Sequence, residues 1–156
     1  MAVGRKSSLL ERSWNKTLNE ILVAENRTPN WSWTDQLKSK NQIAEWNGVR
    51  NYQASKNLKA MKKNDLCFFY HSGKEKRIIG IVRIIKEHFR DKTDKANKFV
   101  SVMVRGEDEL SKPVTLKKIK NDKFFKELAL VKQSRLSVME INTKYWKKIC
   151  KMSNMG

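Results

Sequence analysis

The sequence predicts an α+β fold, a small mixed β-barrel with flanking short helices, on three observations. Four to six short strand-like runs alternate with short helical segments along 156 residues, a length that holds one hydrophobic core and is too short for two ordinary domains. Residues 66–70, LCFFY, form a nearly continuous apolar and aromatic run, the mark of a strand buried on both faces. A second run at 78–85 carries Gly80, where a bulge or a close backbone approach lets a small barrel bend and close its edges.

Element by element, Leu9, Leu10, Trp14 and Leu18 recur at spacings that give one face of an amphipathic helix within residues 1–20. Residues 21–24 read as a first strand, and 26–30 as a breaker-rich connection in which Pro29 biases Thr28 away from helix. A short helix follows Trp31, with Ser32 as N-cap and Asp35 in its first turn, where the helix dipole favours a carboxylate. Across residues 51–63, Ala54, Leu58 and Met61 recur at helical spacing while Lys56, Lys59, Lys62 and Lys63 fall mainly elsewhere, so one face packs and the other is basic. Asn64 and Asp65 turn the chain into the buried strand, and residues 73–76 connect it to the next.

Residues 86–97 are highly charged and read as a loop or strand end, after which Phe99, Val100, Val102 and Val104 supply another strand. Pro113 interrupts the chain, Thr115 caps a helix over Leu116 and Ile119, and 124–130 adds a further helical turn. Residues 136–141 alternate as a last strand, and Asn142 or Thr143 caps a terminal helix bearing Tyr145, Trp146 and Ile149. The chain divides into an N-terminal arm or helix at 1–20, a domain at 21–152 and a tail at 153–156.

Charge narrows the partner class. Against 16 Asp and Glu stand 34 Lys and Arg, a net +18 whose field attracts polyanions, nucleic acid first among them. A solvated lysine surface is the bland reading of the same excess. Cys67 and Cys150 are far apart in sequence, and with only His71 and His88 beside them they make no zinc framework, so no metal is expected. Met1 to Leu10 is followed by Glu11 and Arg12 instead of an apolar segment, so no signal peptide is visible, and nothing approaches the ~18 apolar residues that span a bilayer. The expectation is a soluble monomer inside the cell with no membrane partner.

Catalysis finds no support in the motifs. Cys67 and His71 lie four apart on a strand, on one face but too distant for a nucleophile–base hydrogen bond. No paired carboxylates or glycine-rich phosphate loop occur, so we assign no catalytic residue and no cofactor.

The segment 46–72, WNGVRNYQASKNLKAMKKNDLCFFYHS, resembles the EVE domain, a branch of the PUA-like barrels, matching at Trp46, Gly48, Val49, Arg50, Asn51, Tyr52, Gln53, Ala54, Leu58, Met61, Lys62, Asp65, Phe69, Tyr70, His71 and Ser72. Ser55 and Asn64 stand where that family usually has Arg and Gly. PVTL at 113–116 and ALVKQSRLSVMEINTKYW at 129–146 extend the resemblance, whereas ILVAENRTPN departs from the family's usual first strand and the loop 91–98 is short. The resemblance implies a non-enzymatic, PUA-like domain that binds DNA or RNA and reads a modified or flipped base between barrel and helix. It also implies a cytoplasmic bacterial stand-alone protein, or a nuclear one if eukaryotic. An RNA-binding module without selectivity for modified bases and a basic protein-interaction adaptor are the alternatives.

A flipped base needs aromatic faces and fixed donors and acceptors. Trp31, Trp33, Trp46 and Tyr52 offer faces, although taken singly each Trp is more often a core residue than a cage. Asn51, Ser72 and Ser137 offer polar edges, with Val49, His71 and Leu136 completing the candidate pocket. Asn51 is also a natural N-cap, and a hydrogen-bonded structural role is the common one for a His at a strand end such as His71. Lys56, Lys59 and Lys62 are candidate phosphate contacts, as are Arg50 and Arg135, whose other reading is pairing with Asp65 or Glu45.

Overall fold

The structure, a computed structural model, describes residues 18–23, 31–133 and 135–154. Its elements in chain order are β1 (Leu18–Val23), α1 (Trp33–Lys38), β2 (Ile43–Trp46), α2 (Tyr52–Ala60), β3 (Leu66–His71), β4 (Arg77–Arg90), β5 (Val100–Thr115), α3 (Leu116–Lys120), α4 (Ala129–Lys132), β6 (Val138–Asn142) and α5 (Thr143–Met152). Single 3-10 turns lie at Lys40–Gln42 and Lys123–Phe125. The expected helix through Leu9, Leu10 and Trp14 and the connection at 26–30 lie outside the described residues.

Hydrogen bonds join the strands in the order β2-β5-β4-β3-β1-β6. All neighbours are antiparallel except β1 and β3, which run parallel with Ile21 opposite Phe68. β3 is buried along Leu66 to Tyr70, and successive side chains serve opposite faces of the sheet. Phe68 stacks on Trp146 of α5 at 3.9 Å between ring centroids. Phe69, one residue on, meets Trp33 at 5.2 Å and Trp46 at 5.6 Å, both edge to face. One apolar strand thus nucleates two layers of core, which is why it shows no alternation in sequence.

The long β4–β5 hairpin bends through repeated register shifts. Gly80 is required at one of them: a Cβ there would lie 2.5 Å from the Trp33 ring, so the indole packs directly on the backbone opposite Phe69. Both expectations for Gly80, a bulge and a close approach, hold. Helix α2 packs against β6, β5 and β4, and Asn57 Nδ2 donates to the Val138 carbonyl at 2.8 Å. Because β6 and β5 stand toward opposite ends of the strand order, the sheet rolls with α2 across its seam.

Four expectations need correction. The first strand begins at Leu18, three residues before the expected start, because Leu18–Leu22 pairs with β6. Residues 86–90 continue β4 despite their charge, since Phe89 and Arg90 pair with Ser101 and Val100 and leave the polar side chains at Lys86, Glu87 and His88 to solvent. Pro113 does not break the chain: it lies inside β5 where the six residues 109 to 114 span what three, 78 to 80, cover on β4, a bulge in which a missing N–H removes no ladder bond. The last strand begins at Val138, as the turn bond from Leu136 N to Gln133 O holds residue 136 outside it. At the C-terminus, Ser153 is buried and its carbonyl accepts from Lys112 N at 3.3 Å.

Candidate nucleic-acid interface

The turn after β2 is the best-defined part of the site. Gly48 has φ +82, a left-handed conformation that glycine adopts without strain and that turns the chain out of the strand. The Asp91 carboxylate, itself buried, then holds this turn from the opposite loop. Its Oδ2 accepts from Gly48 N at 2.9 Å and Arg50 Nη1 at 2.9 Å, and its Oδ1 accepts from Thr93 N at 2.8 Å and Thr93 Oγ1 at 2.6 Å. Burial pushes the Asp91 carboxyl up, but the hydrogen bonds from Thr93, Gly48 and Arg50 together outweigh it and hold the group below the ordinary carboxylate value.

Arg50 reaches on to Thr93 Oγ1 at 2.8 Å, and its guanidinium lies 5.6 Å from the centre of the Phe99 ring. Its partner is therefore Asp91, not the Asp65 or Glu45 of the sequence reading. Asp94 fixes the same loop by accepting from the backbone N–H groups of Ala96, Lys98 and Phe99. Phe99 in turn supports Tyr52, at 5.1 Å between centroids, which remains 68% exposed. Asn51 caps α2 through Oδ1, which accepts from Ala54 N at 2.9 Å, and its exposed amide is left with its donor. Two loops thus lock each other and display Arg50, Asn51 and Tyr52 at the head of a helix whose Lys56 and Lys59 are exposed, with Lys62 exposed just beyond its end.

A second group forms around α1. The expected Ser32 cap is a full capping box, Ser32 Oγ accepting from Asp35 N while Asp35 Oδ2 accepts from Ser32 N, and these bonds hold the Asp35 carboxyl below its ordinary value. Trp33 N donates to His71 Nε2 at 2.9 Å, and His71 Nδ1 lies 2.7 Å from Glu75. Both ring nitrogens of His71 are thereby engaged, Nε2 joining β3 to α1 and Nδ1 facing the β3–β4 connection. Trp33 Nε1 donates to Glu109 and Trp31 Nε1 to Gln36, which is buried and bonded to the Gln42 carbonyl.

Trp33 and Trp46 are buried at 3% and 1% exposure, and Val49 is buried too, so the structure puts these side chains in the core. Trp31, His71 and Ser137 are half-buried, Leu136 is buried and Arg135 is exposed. Ser72 Oγ is buried with no hydrogen-bond partner, a state that is rare for a native hydroxyl. Direct contacts gather the candidates in two sets, Arg50–Asn51–Tyr52 on the Asp91 loop and Trp31–Trp33–His71 about α1. Residues 135–137 lead into β6, which Asn57 ties to α2.

Sequence reasoning missed Asp91, Thr93, Phe99 and Gln36. The run Asp91-Lys92-Thr93-Asp94 carries the signal, since Asp and Thr at a loop start bond their own backbone. Asn64, where the resemblance expects Gly, has φ +77, and Asn is among the side chains that tolerate this region best. Both cysteines are free and buried, and burial pushes the Cys150 thiol up to about 12. Among the described residues no group of three or more His, Cys, Asp or Glu is placed to hold a metal, and no helix is long and apolar enough to cross a membrane.

Comparison with known proteins places this architecture. Over 61 residues the chain is 52% identical to thymocyte nuclear protein 1 of Gallus gallus, a match covering 38% of this chain and 25% of that protein's length. Among solved structures, Rpa0253 from Rhodopseudomonas palustris superposes with a TM-score of 0.80 at 37% identity, covering 88% of this chain and 93% of that one. Human THYN1 in complex with 5-methylcytosine containing DNA superposes with a TM-score of 0.82 at 25% identity, covering 87% and 97%. The EVE domain model matches residues 21–152, and the chain belongs to the EVE domain family, with its PUA-like α+β fold.

Proposed function

We propose that this domain binds nucleic acid and reads a modified base, with a modified cytosine in DNA as the first candidate. The observation that carries the reading is the likeness, over 97% of that chain, to human THYN1 in complex with 5-methylcytosine containing DNA. The geometry supplies parts suited to it. Tyr52 presents an exposed ring on a rigid loop, Asn51 a free amide donor and Ser72 a buried hydroxyl still lacking a partner. In this reading the buried Trp33, Trp46, Val49 and Leu136 form the wall of the base site, and the half-buried Trp31, His71 and Ser137 its rim.

Arg50 is held by Asp91 and Thr93 in one orientation and directs its remaining N–H groups at a phosphate. Lys56, Lys59, Lys62 and Arg135 add sequence-independent charge. The domain acts as a monomer without catalysis, metal or cofactor.

The test is equilibrium binding of the purified chain, at stated salt, to matched duplexes carrying cytosine, 5-methylcytosine or 5-hydroxymethylcytosine, with the same series in RNA. One modified duplex binds most tightly, and affinity for every oligonucleotide falls linearly in log–log with added salt. Equal affinity across all modifications defeats the base-reading assignment, and a flat salt response defeats the phosphate contacts.

A further inference from the structure

Residues 116–152 carry eleven Lys and Arg against three acidic residues, and of the eleven only Arg135 is assigned to the base-reading site. Lys117, Lys118, Lys120, Lys123, Lys126, Lys144 and Lys151 are exposed on α3, the 3-10 turn after it, and α5. Two of the three acids are already paired, Asp122 with Lys148 at 3.5 Å and Glu127 with Lys132. Within this field sits Phe124, 43% exposed and, with Tyr52, one of the two large hydrophobic side chains exposed among the described residues. Its contacts to Phe125 and Tyr145 are edge to face, at 5.4 and 5.5 Å. The Lys148 ammonium lies 5.1 Å from the ring centre and Lys144 lies 4.9 Å from that of Tyr145.

An exposed aromatic ring among lysines, held by its neighbours, combines the two features by which proteins bind single strands: a face for a base and cations that track phosphates. The surface is separate from the Arg50–Tyr52 loop. Helix α5 covers the side of β3 that Phe68 faces, whereas Trp33 and Trp46 meet Phe69 on the other side. We infer that α3, the Lys123–Phe125 turn and α5 form a second nucleic-acid contact, which takes a single-stranded segment with a base stacked on Phe124 and its phosphates along Lys117, Lys120 and Lys123. This extends the proposed base reading without depending on it, because the two surfaces use different residues.

The experiment measures binding of the full chain to labelled dodecathymidylate by fluorescence anisotropy over a salt series. Phe124→Leu, which keeps an apolar contact with Tyr145 but removes the ring, weakens binding about tenfold, and Phe124→Tyr retains it. Lys117→Gln combined with Lys120→Gln and Lys123→Gln lowers the log–log salt slope by about 2. Neither change alters the ratio of affinities for modified and plain duplexes, while Tyr52→Ala alters that ratio and leaves dodecathymidylate binding in place. A Phe124→Leu protein that melts like wild type and binds dodecathymidylate equally well overturns the inference. So does loss of that binding in Tyr52→Ala, or a heparin fragment that displaces the oligonucleotide from wild type and Phe124→Leu alike at equal concentration.

Discussion

Replacing Asp91 by Ala removes the carboxylate that ties two loops together, and the structure sets the scale of the loss. Gly48 N and Thr93 N lose their acceptor, and in a loop that water can reach each unsatisfied donor costs about 1 kcal/mol, the low end of the range for such groups. The Arg50 pair is worth at most about 1 kcal/mol, because 38% of the Arg50 side chain is exposed and solvent screens it. A total of about 3 kcal/mol lowers the melting temperature by roughly 6–12 °C in a domain of this size. Asp91→Asn costs less: its oxygen still serves the Gly48 and Arg50 donors, while its amide faces Thr93, whose hydroxyl can turn to accept but whose N–H cannot. Melting by circular dichroism ranks the series wild type, Asn, Ala. Base affinity drops with it, since Arg50 and Tyr52 lose their fixed positions. An Asp91→Ala protein melting within 2 °C of wild type refutes the latch.

Acid acts on the Asp91 bonds and on Glu107, which pairs with Arg83 and Arg105: both carboxyls titrate below their ordinary values, so their stabilisation is full above about pH 5 and is lost as pH falls through the folded values. Urea unfolding from pH 6 to pH 2.5 shows that decline, and it is shallower in Asp91→Asn. Gly80→Ala puts a methyl against the Trp33 ring and destabilises by about 1–3 kcal/mol in urea unfolding, part of it recovered by Trp33→Phe. Tyr52→Ala leaves stability nearly unchanged but weakens binding of the preferred base by about 1–3 kcal/mol, read by titration against the unmodified duplex. Lys59→Ala with Lys62→Ala weakens all sequences alike and reduces the duplex salt slope by about 2.

Local chemistry was readable from the sequence where a residue acts on its neighbours. Ser32, Asn51, Thr115 and Asn142 each cap the helix that follows because their side chains reach only two or three residues on. The unalternating run at 66–70 announced a strand covered on both sides. Long-range partners were not readable. Nothing in the spacing of Arg50 and Asp91 joins residues 41 apart, and the charge of residues 86–90 hid a strand whose outward face is polar. For the site, the α2 lysines were expected on the outward face and are exposed, and Tyr52, expected as an aromatic face of the pocket, is exposed too. Trp33 and Trp46 were open between core and cage, because that choice depends on Phe69 and Gly80, which reach them only in three dimensions.

The position of β1 governs when this chain can fold. It lies between β3 and β6, so Leu18–Leu22 needs the 138–142 segment, more than a hundred residues later, before its outer edge is paired. Pairings of such separation close a long loop before any contact rewards it, and they place this domain among slow folders. During synthesis the first strand leaves the ribosome early and waits, its edge open, until almost the whole domain has emerged. Removing residues 138–152 therefore does more than trim the terminal helix: it leaves β1 as a bare edge and Phe68 without Trp146.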